Sequence, residues 1–382
     1  MSVEAVQDAA TSGLEGLVVA RTELSDVDGA RGKLVIRGYD VEQIAGRATF
    51  EEVAFLLWHG ELPTPDELAG LRRRLAAYRE LPREAQRAVE LAADRLAPMD
   101  ALRFAVASLD ADDPDPADES RAANLERAAR LLARVPVLVA AHQRLRSGQG
   151  WIRPRADLGL AANFLYQLTG QAPSPAGVRA LDTYLVTISD HGMNASTFTA
   201  RVIASTASDM VSAITGAVGA LKGPLHGGAP GPALAMIESI SNVNRAEAWM
   251  RGALSRGERL MGFGHRVYKV RDPRAEVLYR AASALADETG RREALELAHE
   301  VERVGAQILA EAKPGRGLNT NVEFYTALLL REIGLPPDLF SPTFAIGRTA
   351  GWTAHVLEQR ATGRLIRPLS EYAGPRGARY PT

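Results

Sequence analysis

The stretch TPDELAGLRRRLAAYR, Thr64–Arg79, shows which kind of structure this chain builds. Thr64 is a favoured N-cap residue, Pro65 occupies the first helical position, and Glu67 completes a capping box. These signals predict a helix that continues to about Arg79. Ser174 and Pro175 repeat the same device in front of a second predicted helix over residues 178–189.

A hydrophobic period of 3.6 residues extends over most of the chain and predicts further helices. The segments with this period are 83–96, 101–109, 121–145, 158–168, 208–221, 245–260, 273–287, 291–312, 322–333 and 349–360. Strand-like alternation is nearly absent after Gly38, and residues 17–20 and 33–37 predict one small hairpin around an Asp-Val-Asp-Gly turn. The predicted fold class is therefore all-α, apart from the first residues.

The amino-acid composition limits the classes of protein to which this chain can belong. With 382 residues, 46% hydrophobic and 24% charged, the chain is predicted to be soluble and large enough for two domains. Its net charge of −1, with acids and bases interspersed, argues against nucleic acid or a membrane as partner. The absence of cysteine excludes disulfides, thiolate metal sites and a cysteine nucleophile. No secretion signal or run of about 18 apolar residues is present, so a cytoplasmic location is predicted.

Two of the seven histidines lie between glycines, in GPLHGG (Gly223–Gly228) and GFGHRVYK (Gly262–Lys269). Glycine lets a ligand approach the backbone and adopts φ values that other residues avoid. We therefore expect His226 and His265 to face a substrate. The histidine spacings do not fit a metal site, and no metal is predicted.

Other polar segments add arginines and one acid to these histidines. They are Ser189–Ser196, Asp272–Arg274, Asn321–Glu323 and Gly347–Arg348, with Arg367 as a further cation. Arginines can clamp carboxylates, imidazoles can polarise carbonyls, and an acid can take a proton from carbon. The set suits a Claisen or aldol condensation of a polycarboxylate.

Each residue taken alone has a simpler interpretation. His191 could be a polar residue that ends a helix, Arg348 a cation at a helix start, and Glu323 an exposed acid near a helix N-terminus. Only the ordered set favours a catalytic role. The remaining histidines lie in amphipathic stretches and are predicted to be packing or surface residues: His59, His142, His299 and His355.

Five linked motifs resemble those of the citrate synthase family in order and spacing. They are SDHGMNASTFTARV (189–202), GALKGPLHGGAPG (219–231), GFGHRVYKVRDPRAEVL (262–278), NVEFYTALLL (321–330) and FAIGRTAGWTAHVLEQ (344–359). The resemblance spans residues 14–371, and the length is similar to the short bacterial and archaeal form.

The resemblance implies a citrate synthase fold, with a large helical domain of residues 1–227 and 335–382 and a small helical domain of residues 228–334. The active site would lie in the cleft between them. The implied reaction joins acetyl-CoA, oxaloacetate and water to give citrate and CoA. It needs no metal or redox cofactor, because acetyl-CoA is a substrate. The implied enzyme is an acyltransferase that converts acyl to alkyl on transfer.

The resemblance also implies residue roles. His226 would bind the thioester carbonyl, Glu323 would remove the methyl proton, and His265 would polarise the ketone of oxaloacetate. His191, Arg274 and Arg348 would hold its carboxylates. Arg367 would reach the partner's site in a homodimer. Candidates for the CoA phosphates are Arg266, Lys269 and Arg271.

Two positions depart from the family's pattern: Glu323 stands where Asp is usual, and Gly192 where Glu is frequent. The first departure leaves open a 2-methylcitrate synthase that uses propionyl-CoA, because one methylene changes discrimination by only about 1–3 kcal/mol. It also leaves open a weakly active or inactive paralogue that binds CoA or dicarboxylates as a sensor.

Overall fold

The structure is a computed structural model that describes residues 13–14, 16–227 and 230–380. The predicted all-α class is confirmed, since sixteen α-helices occupy most of this described part. The helices are α1 (Val41–Ile44), α2 (Phe50–His59), α3 (Pro65–Tyr78), α4 (Arg83–Ala92), α5 (Pro98–Ala107), α6 (Arg121–Arg146), α7 (Leu160–Thr169), α8 (Pro175–Ile188), α9 (Ala195–Ser205), α10 (Met210–Leu221), α11 (Pro230–Ile240), α12 (Ala246–Ser255), α13 (Pro273–Thr289), α14 (Glu293–Ala312), α15 (Val322–Ile333) and α16 (Phe340–Thr362). No described helix combines the length and apolarity needed to cross a bilayer.

A small antiparallel sheet precedes the helices: β1 (Ser25–Asp28), β2 (Lys33–Ile36) and β3 (Tyr39–Asp40). The predicted position of the first strand is wrong, because residues 17–20 lie outside any strand and most of the predicted turn belongs to β1. The pairing of Asp28 with Lys33 places the turn at residues 29–32. The Asp28 carboxylate accepts the backbone N–H groups of Ala30 (3.0 Å) and Arg31 (2.9 Å), which closes this turn.

The predicted capping signals are confirmed at two helix starts, although α8 begins at Pro175, three residues before the predicted limit. Thr64 and Glu67 form a complete capping box at α3, with Pro65 at the first helical position. The Ser174 side chain accepts the backbone N–H of Gly177 at α8. These bonds satisfy N–H groups that have no partner inside the helix, so each start is fixed locally by its own sequence.

The long helix α16 lies at the centre of the core, against α2, α6, α8, α9 and α10. Gly347 and Gly351 let the end of α8 approach it closely. A Cβ on Gly351 would lie 2.3 Å from the carbonyl oxygen of Ser189, and one on Gly347 would lie 2.7 Å from the Ile188 side chain. This contact brings the segment after α8 beside the middle of α16. α8 also packs against α13, and α13 in turn packs against α15.

Candidate active site

Three segments that precede predicted site residues are joined by backbone hydrogen bonds. The bonds run from Gly264 N to Asn319 O (2.7 Å), from Asn321 N to Gly262 O (2.9 Å) and from Asp272 N to Thr320 O (3.1 Å). They hold His265, Arg274 and Glu323 in one cluster, although these residues are up to 58 positions apart in the chain.

The glycines around His265 have the conformational role that the sequence predicts. Gly262 and Gly264 have φ values of +81° and +84°, which side chains with a Cβ rarely adopt. A Cβ on Gly262 would also lie 2.8 Å from the Phe324 ring. Gly227, after His226, is needed for a close approach instead, because its Cβ would lie 2.5 Å from the carbonyl oxygen of Leu221. Gly228 lies outside the described residues.

Arg274 is buried and is held by a two-pronged pair with the buried carboxylate of Asp272. The distances are 3.0 Å from Nε to Oδ1 and 2.8 Å from Nη2 to Oδ2. Asp272 Oδ2 also accepts the backbone N–H of Val322 at 3.2 Å. Since Val322 opens the helix that carries Glu323, one carboxylate orients both the arginine and the N-terminus of α15.

Arg348 is a second buried cation, only 1% exposed. Its Nε donates to the carbonyl oxygen of Ile188 at 2.7 Å, and its guanidinium lies 4.6 Å from the centre of the Phe344 ring. Burial lowers the pKa of Arg348 to about 10, and the negative charge of Asp190 opposes this fall. The guanidinium therefore stays charged at neutral pH and can bind a carboxylate.

The tautomer of His265 is fixed by its own loop. Its Nδ1 accepts the backbone N–H groups of Val267 (3.0 Å) and Tyr268 (3.1 Å). Because a backbone N–H can only donate, Nδ1 carries no proton and Nε2 carries it. Burial, and then the charge of Arg274, lowers the pKa of His265 to about 4. The ring is a neutral imidazole that offers an Nε2–H donor at neutral pH.

His226 has the opposite tautomer. Its Nε2 accepts the backbone N–H of Ser196 at 3.3 Å and lies 2.8 Å from the Ser196 hydroxyl, which also accepts the Trp352 indole N–H at 3.1 Å. The proton therefore resides on Nδ1. Burial, and then Arg348, lowers the pKa of His226 to about 4. His226 thus offers an Nδ1–H donor at neutral pH.

His191 completes the group of neutral imidazoles. Its Nε2 lies 3.1 Å from the Tyr268 hydroxyl, and its ring centre is 5.7 Å from that of His265. Burial, together with Arg274 and Arg348, holds the pKa of His191 well below its usual value. His191 lies three residues after the end of α8 at Ile188.

Glu323 has the environment of a base. It lies in the first turn of α15, and its Oε2 is buried with no hydrogen-bond partner among the described residues. Burial raises its pKa to about 7, although Arg274 counteracts this rise. A carboxylate without a partner, with a pKa near neutrality, can accept a proton from a nearby ligand.

The other predicted binding residues lie apart from this group. Arg266 and Lys269 are exposed on the His265 loop, where Lys269 Nζ donates to the carbonyl oxygen of Arg266 at 3.2 Å. Arg271 is paired with Glu302 at 2.9 Å and with Glu276. Arg367 is exposed in the extended segment after α16, and no hydrogen bond or ion pair joins it to the described site residues.

Sequence reasoning did not assign roles to Ser196, Tyr268 or Asp272, although each lies inside a segment that it singled out. Their spacing in the sequence gives no signal, because their contacts are made in three dimensions.

Of the histidines predicted to be packing or surface residues, His59 and His299 are exposed and His142 is buried. His355 is also buried, with Nε2 3.2 Å from the Asp190 carboxylate.

Comparisons with known proteins agree with the motifs. Residues 13–369 match the family described as citrate synthase, C-terminal domain. The chain is 44% identical to the citrate synthase of Haloferax volcanii over 95% of both chains. It is 41% identical to the 2-methylcitrate synthase of Mycobacterium tuberculosis over 95% of this chain and 90% of that protein. The structure is similar to the ternary complex of carboxymethyl coenzyme A and oxaloacetate with citrate synthase from Thermoplasma acidophilum, with a TM-score of 0.88, 31% identity and 97% coverage of both chains.

Proposed function

The chain belongs to the citrate synthase family, and we propose that its site condenses acetyl-CoA with oxaloacetate and water to give citrate and CoA. It is an acyltransferase of the citrate synthase type. One observation carries the assignment of roles. Two neutral histidines, fixed in opposite tautomers by backbone N–H groups, accompany a buried carboxylate without a partner.

The first step is removal of a methyl proton from acetyl-CoA. Glu323 takes the proton, while the Nδ1–H of His226 donates a hydrogen bond to the oxygen of the thioester enolate that forms. A thioester α-carbon is a very weak acid, so a carboxylate can deprotonate it only when a donor stabilises the developing charge. One such donor contributes about 3–4 kcal/mol.

The second step forms the carbon–carbon bond. The enolate carbon attacks the ketone carbon of oxaloacetate, while the Nε2–H of His265 donates a hydrogen bond to the ketone oxygen. The alkoxide that forms takes up, through water, the proton that Glu323 removed, so that the hydroxyl is complete and Glu323 is ionised again. Arg274, Arg348 and His191 hold the carboxylates. Water then cleaves the thioester of the condensed product and releases CoA. Holding both substrates in position can contribute about 7–11 kcal/mol.

The proposed site residues come from two proposed domains. His191, His226 and Arg348 belong to the large domain, residues 1–227 and 335–382, whereas His265 and Glu323 belong to the small domain, residues 228–334. The limit at residue 228 lies outside the described residues. Closure of one domain on the other would complete the site and exclude water.

The proposed CoA contacts differ in what they require. Arg266 and Lys269 are exposed on the His265 loop and could bind phosphates without breaking an ion pair. Arg271 would first have to release Glu276 and Glu302. Its part in CoA binding stays a prediction, as does the cytoplasmic location.

Substrate choice is tested by comparing kcat/KM for acetyl-CoA and propionyl-CoA with oxaloacetate. Glu323 extends one methylene further than aspartate, so we expect the smaller acetyl group to be preferred by about tenfold or more. A preference for propionyl-CoA would instead establish the 2-methylcitrate alternative. Absence of oxaloacetate-dependent CoA release with both thioesters would favour the sensor hypothesis and overturn the proposed reaction.

A homodimer with a shared site is the second proposal that can be tested directly. Leu365, Leu369 and Tyr372 are exposed beside Arg367 on the segment after α16, where a partner subunit could cover them. We expect Arg367→Ala and His265→Ala each to be inactive, and their mixture to recover about a quarter of wild-type activity, because half of the dimers regain one of two sites.

The control for this mixture is His226→Ala with His265→Ala. Both of these residues would belong to the same subunit's site, so every site keeps one defect and no activity should return. If mass spectrometry shows that subunits exchange but the Arg367→Ala mixture stays inactive, Arg367 does not cross to the partner.

A further inference from the structure

We propose that the β1–β2 hairpin is a positioning element that braces the loops of His191 and His265 for oxaloacetate binding. This inference rests on the proposed function. The hairpin contacts one loop through Ser25, in its first strand, and the other through Gly29, in its turn.

In the His191 loop, the hairpin bonds to the residues that precede and follow this histidine in the chain. The Ser25 hydroxyl donates to Asp190 Oδ2 at 2.5 Å and accepts the backbone N–H of Gly192 at 2.8 Å. Asp190 is fully buried, and His355 Nε2 lies 3.2 Å from both oxygens of its carboxylate. Ser25 therefore fixes the residue before His191 and the residue after it.

The absence of a side chain at Gly192 suits its contact with the hairpin. Its φ is +56°, and a Cβ there would lie 3.3 Å from the Val27 side chain of the same hairpin. A side chain at position 192 would be strained by the backbone conformation and crowded by Val27. The departure from the family's usual glutamate thus coincides with a close hairpin contact.

The turn of the hairpin lies directly on the His265 loop. The backbone N–H of Lys269 donates to the carbonyl oxygen of Gly29 at 2.9 Å. A Cβ on Gly29 would lie only 2.2 Å from the carbonyl oxygen of Val267. Val267 is one of the two residues whose N–H groups hold His265 Nδ1, so the turn contacts the segment that orients this ring.

Hydrogen bonds inside the turn hold its shape. Asp28 accepts two backbone N–H groups inside it, and Gly32, at its end, also lies close to the loop. A Cβ on Gly32 would be 2.7 Å from the Val270 side chain. The hairpin therefore makes contacts at both of its glycines with residues that follow His265.

The two braced histidines share one proposed ligand. Both are assigned to oxaloacetate, and their ring centres are 5.7 Å apart. His226, assigned to acetyl-CoA, is held instead by Ser196, which bonds to Trp352. Loss of a hairpin contact should therefore weaken oxaloacetate binding more than acetyl-CoA binding.

The test uses the full-length protein and four variants: Ser25→Ala, Ser25→Thr, Gly29→Ala and Gly150→Ala. Gly150→Ala is the matched control, because Gly150 has no positive φ and a Cβ there would meet nothing within 4 Å. Oxaloacetate affinity is measured by calorimetry, and KM for each substrate by CoA release. Circular dichroism and thermal unfolding report whether each variant is folded.

We expect Ser25→Ala and Gly29→Ala to weaken oxaloacetate binding by about tenfold or more, because each displaces one of the two histidine rings assigned to this ligand. In Ser25→Ala, KM for acetyl-CoA should change by less than about twofold, since the His226 contacts are intact. Ser25→Thr keeps the hydroxyl and should bind oxaloacetate like the wild type, as should Gly150→Ala. A purely structural role would not produce this selectivity and rescue.

Oxaloacetate affinity within about twofold of wild type in Ser25→Ala would overturn the proposal, and so would an equal loss in Ser25→Thr. If Gly29→Ala fails to fold, the two Ser25 variants decide the question. Failure of the proposed function has a different signature, because the wild-type protein would then release no CoA from acetyl-CoA in the presence of oxaloacetate, whatever its affinity for oxaloacetate.

Discussion

Glu323→Gln is expected to lower kcat by about 10²–10⁴-fold while the protein stays folded. The amide keeps the size of the side chain but cannot accept the methyl proton. The matched control is Glu293→Gln, since Glu293 is an exposed acid in the first turn of another helix, α14. CoA release with saturating substrates gives kcat for both variants. A loss smaller than about tenfold in Glu323→Gln would show that another residue is the base.

The same variant should be more stable than the wild type at alkaline pH. Burial raises the pKa of Glu323 from 4.5 to about 7, so the native state binds more protons than the unfolded state between these values. The ionised carboxylate therefore costs stability above pH 7, and glutamine removes a cost of about 3 kcal/mol. Urea unfolding should show this gain at pH 8 and little gain near about pH 3.5, where the carboxyl group is protonated in both states.

The wild-type pH profile follows from the same value. As Glu323 deprotonates, kcat/KM should rise through about pH 7. His226 and His265, with pKa values near 4, stay neutral across this range and should contribute no second inflection. The inflection near pH 7 should therefore report the deprotonation of Glu323 alone.

His226→Ala and His265→Ala are each expected to lower kcat by about 10²–10³-fold, since each removes a donor to an oxygen that gains charge. Both histidines lie in loops, so truncation should change the thermal unfolding temperature little. His265→Ala should also raise KM for oxaloacetate, whereas His226→Ala should not. The control is His59→Ala, because His59 is exposed at the end of α2.

Kinetics of CoA release and thermal unfolding separate these effects. Activity comparable to wild type in either His226→Ala or His265→Ala would exclude that histidine from catalysis. Equal losses in His59→Ala would show that the assay responds to stability instead of chemistry.

The sequence predicts helices best where a local signal marks them. Residues 322–333 were predicted as a helix and form α15 with the same limits, because Asn321 caps the start and Gly334 ends it. The start of α16 was predicted at residue 349 but lies at Phe340. Almost every residue from Phe340 to Arg348 is buried, so the first part of this helix lacks the polar face that creates a 3.6-residue period.

Four described helices have no counterpart among the predicted segments: α1, α2, α9 and α11. The sequence explains why α9 and α11 are hard to predict. α9 begins inside the polar segment Ser189–Ser196, whose composition indicated a binding loop, although Asn194 caps a helix there. α11 contains two prolines and a glycine in its first three residues, which are signals of a turn. The start of α9 thus has a local cap inside a polar segment, and the prolines of α11 lie in its first turn, where a helix needs no N–H group from them.

In the candidate site, too, some properties could be predicted from the sequence and others could not. The positions of His226 and His265 could be predicted from their glycines, but their tautomers could not. The proton of His226 depends on a backbone N–H from Ser196, 30 residues away in the chain. The raised pKa of Glu323 depends on burial beneath other elements, which no spacing within NVEF encodes.

Proton removal by Glu323 is the step on which the proposed reaction depends, and hydrogen exchange reports it directly. Acetyl-CoA is incubated in deuterated water with the protein and an unreactive dicarboxylate analogue of oxaloacetate, and deuterium in the acetyl methyl group is measured by mass spectrometry. We expect the wild type to catalyse exchange and Glu323→Asp to retain it, with a faster rate if glutamate overshoots the methyl carbon. Glu323→Gln should abolish exchange. Undiminished exchange in Glu323→Gln would contradict the assignment of Glu323 as the base.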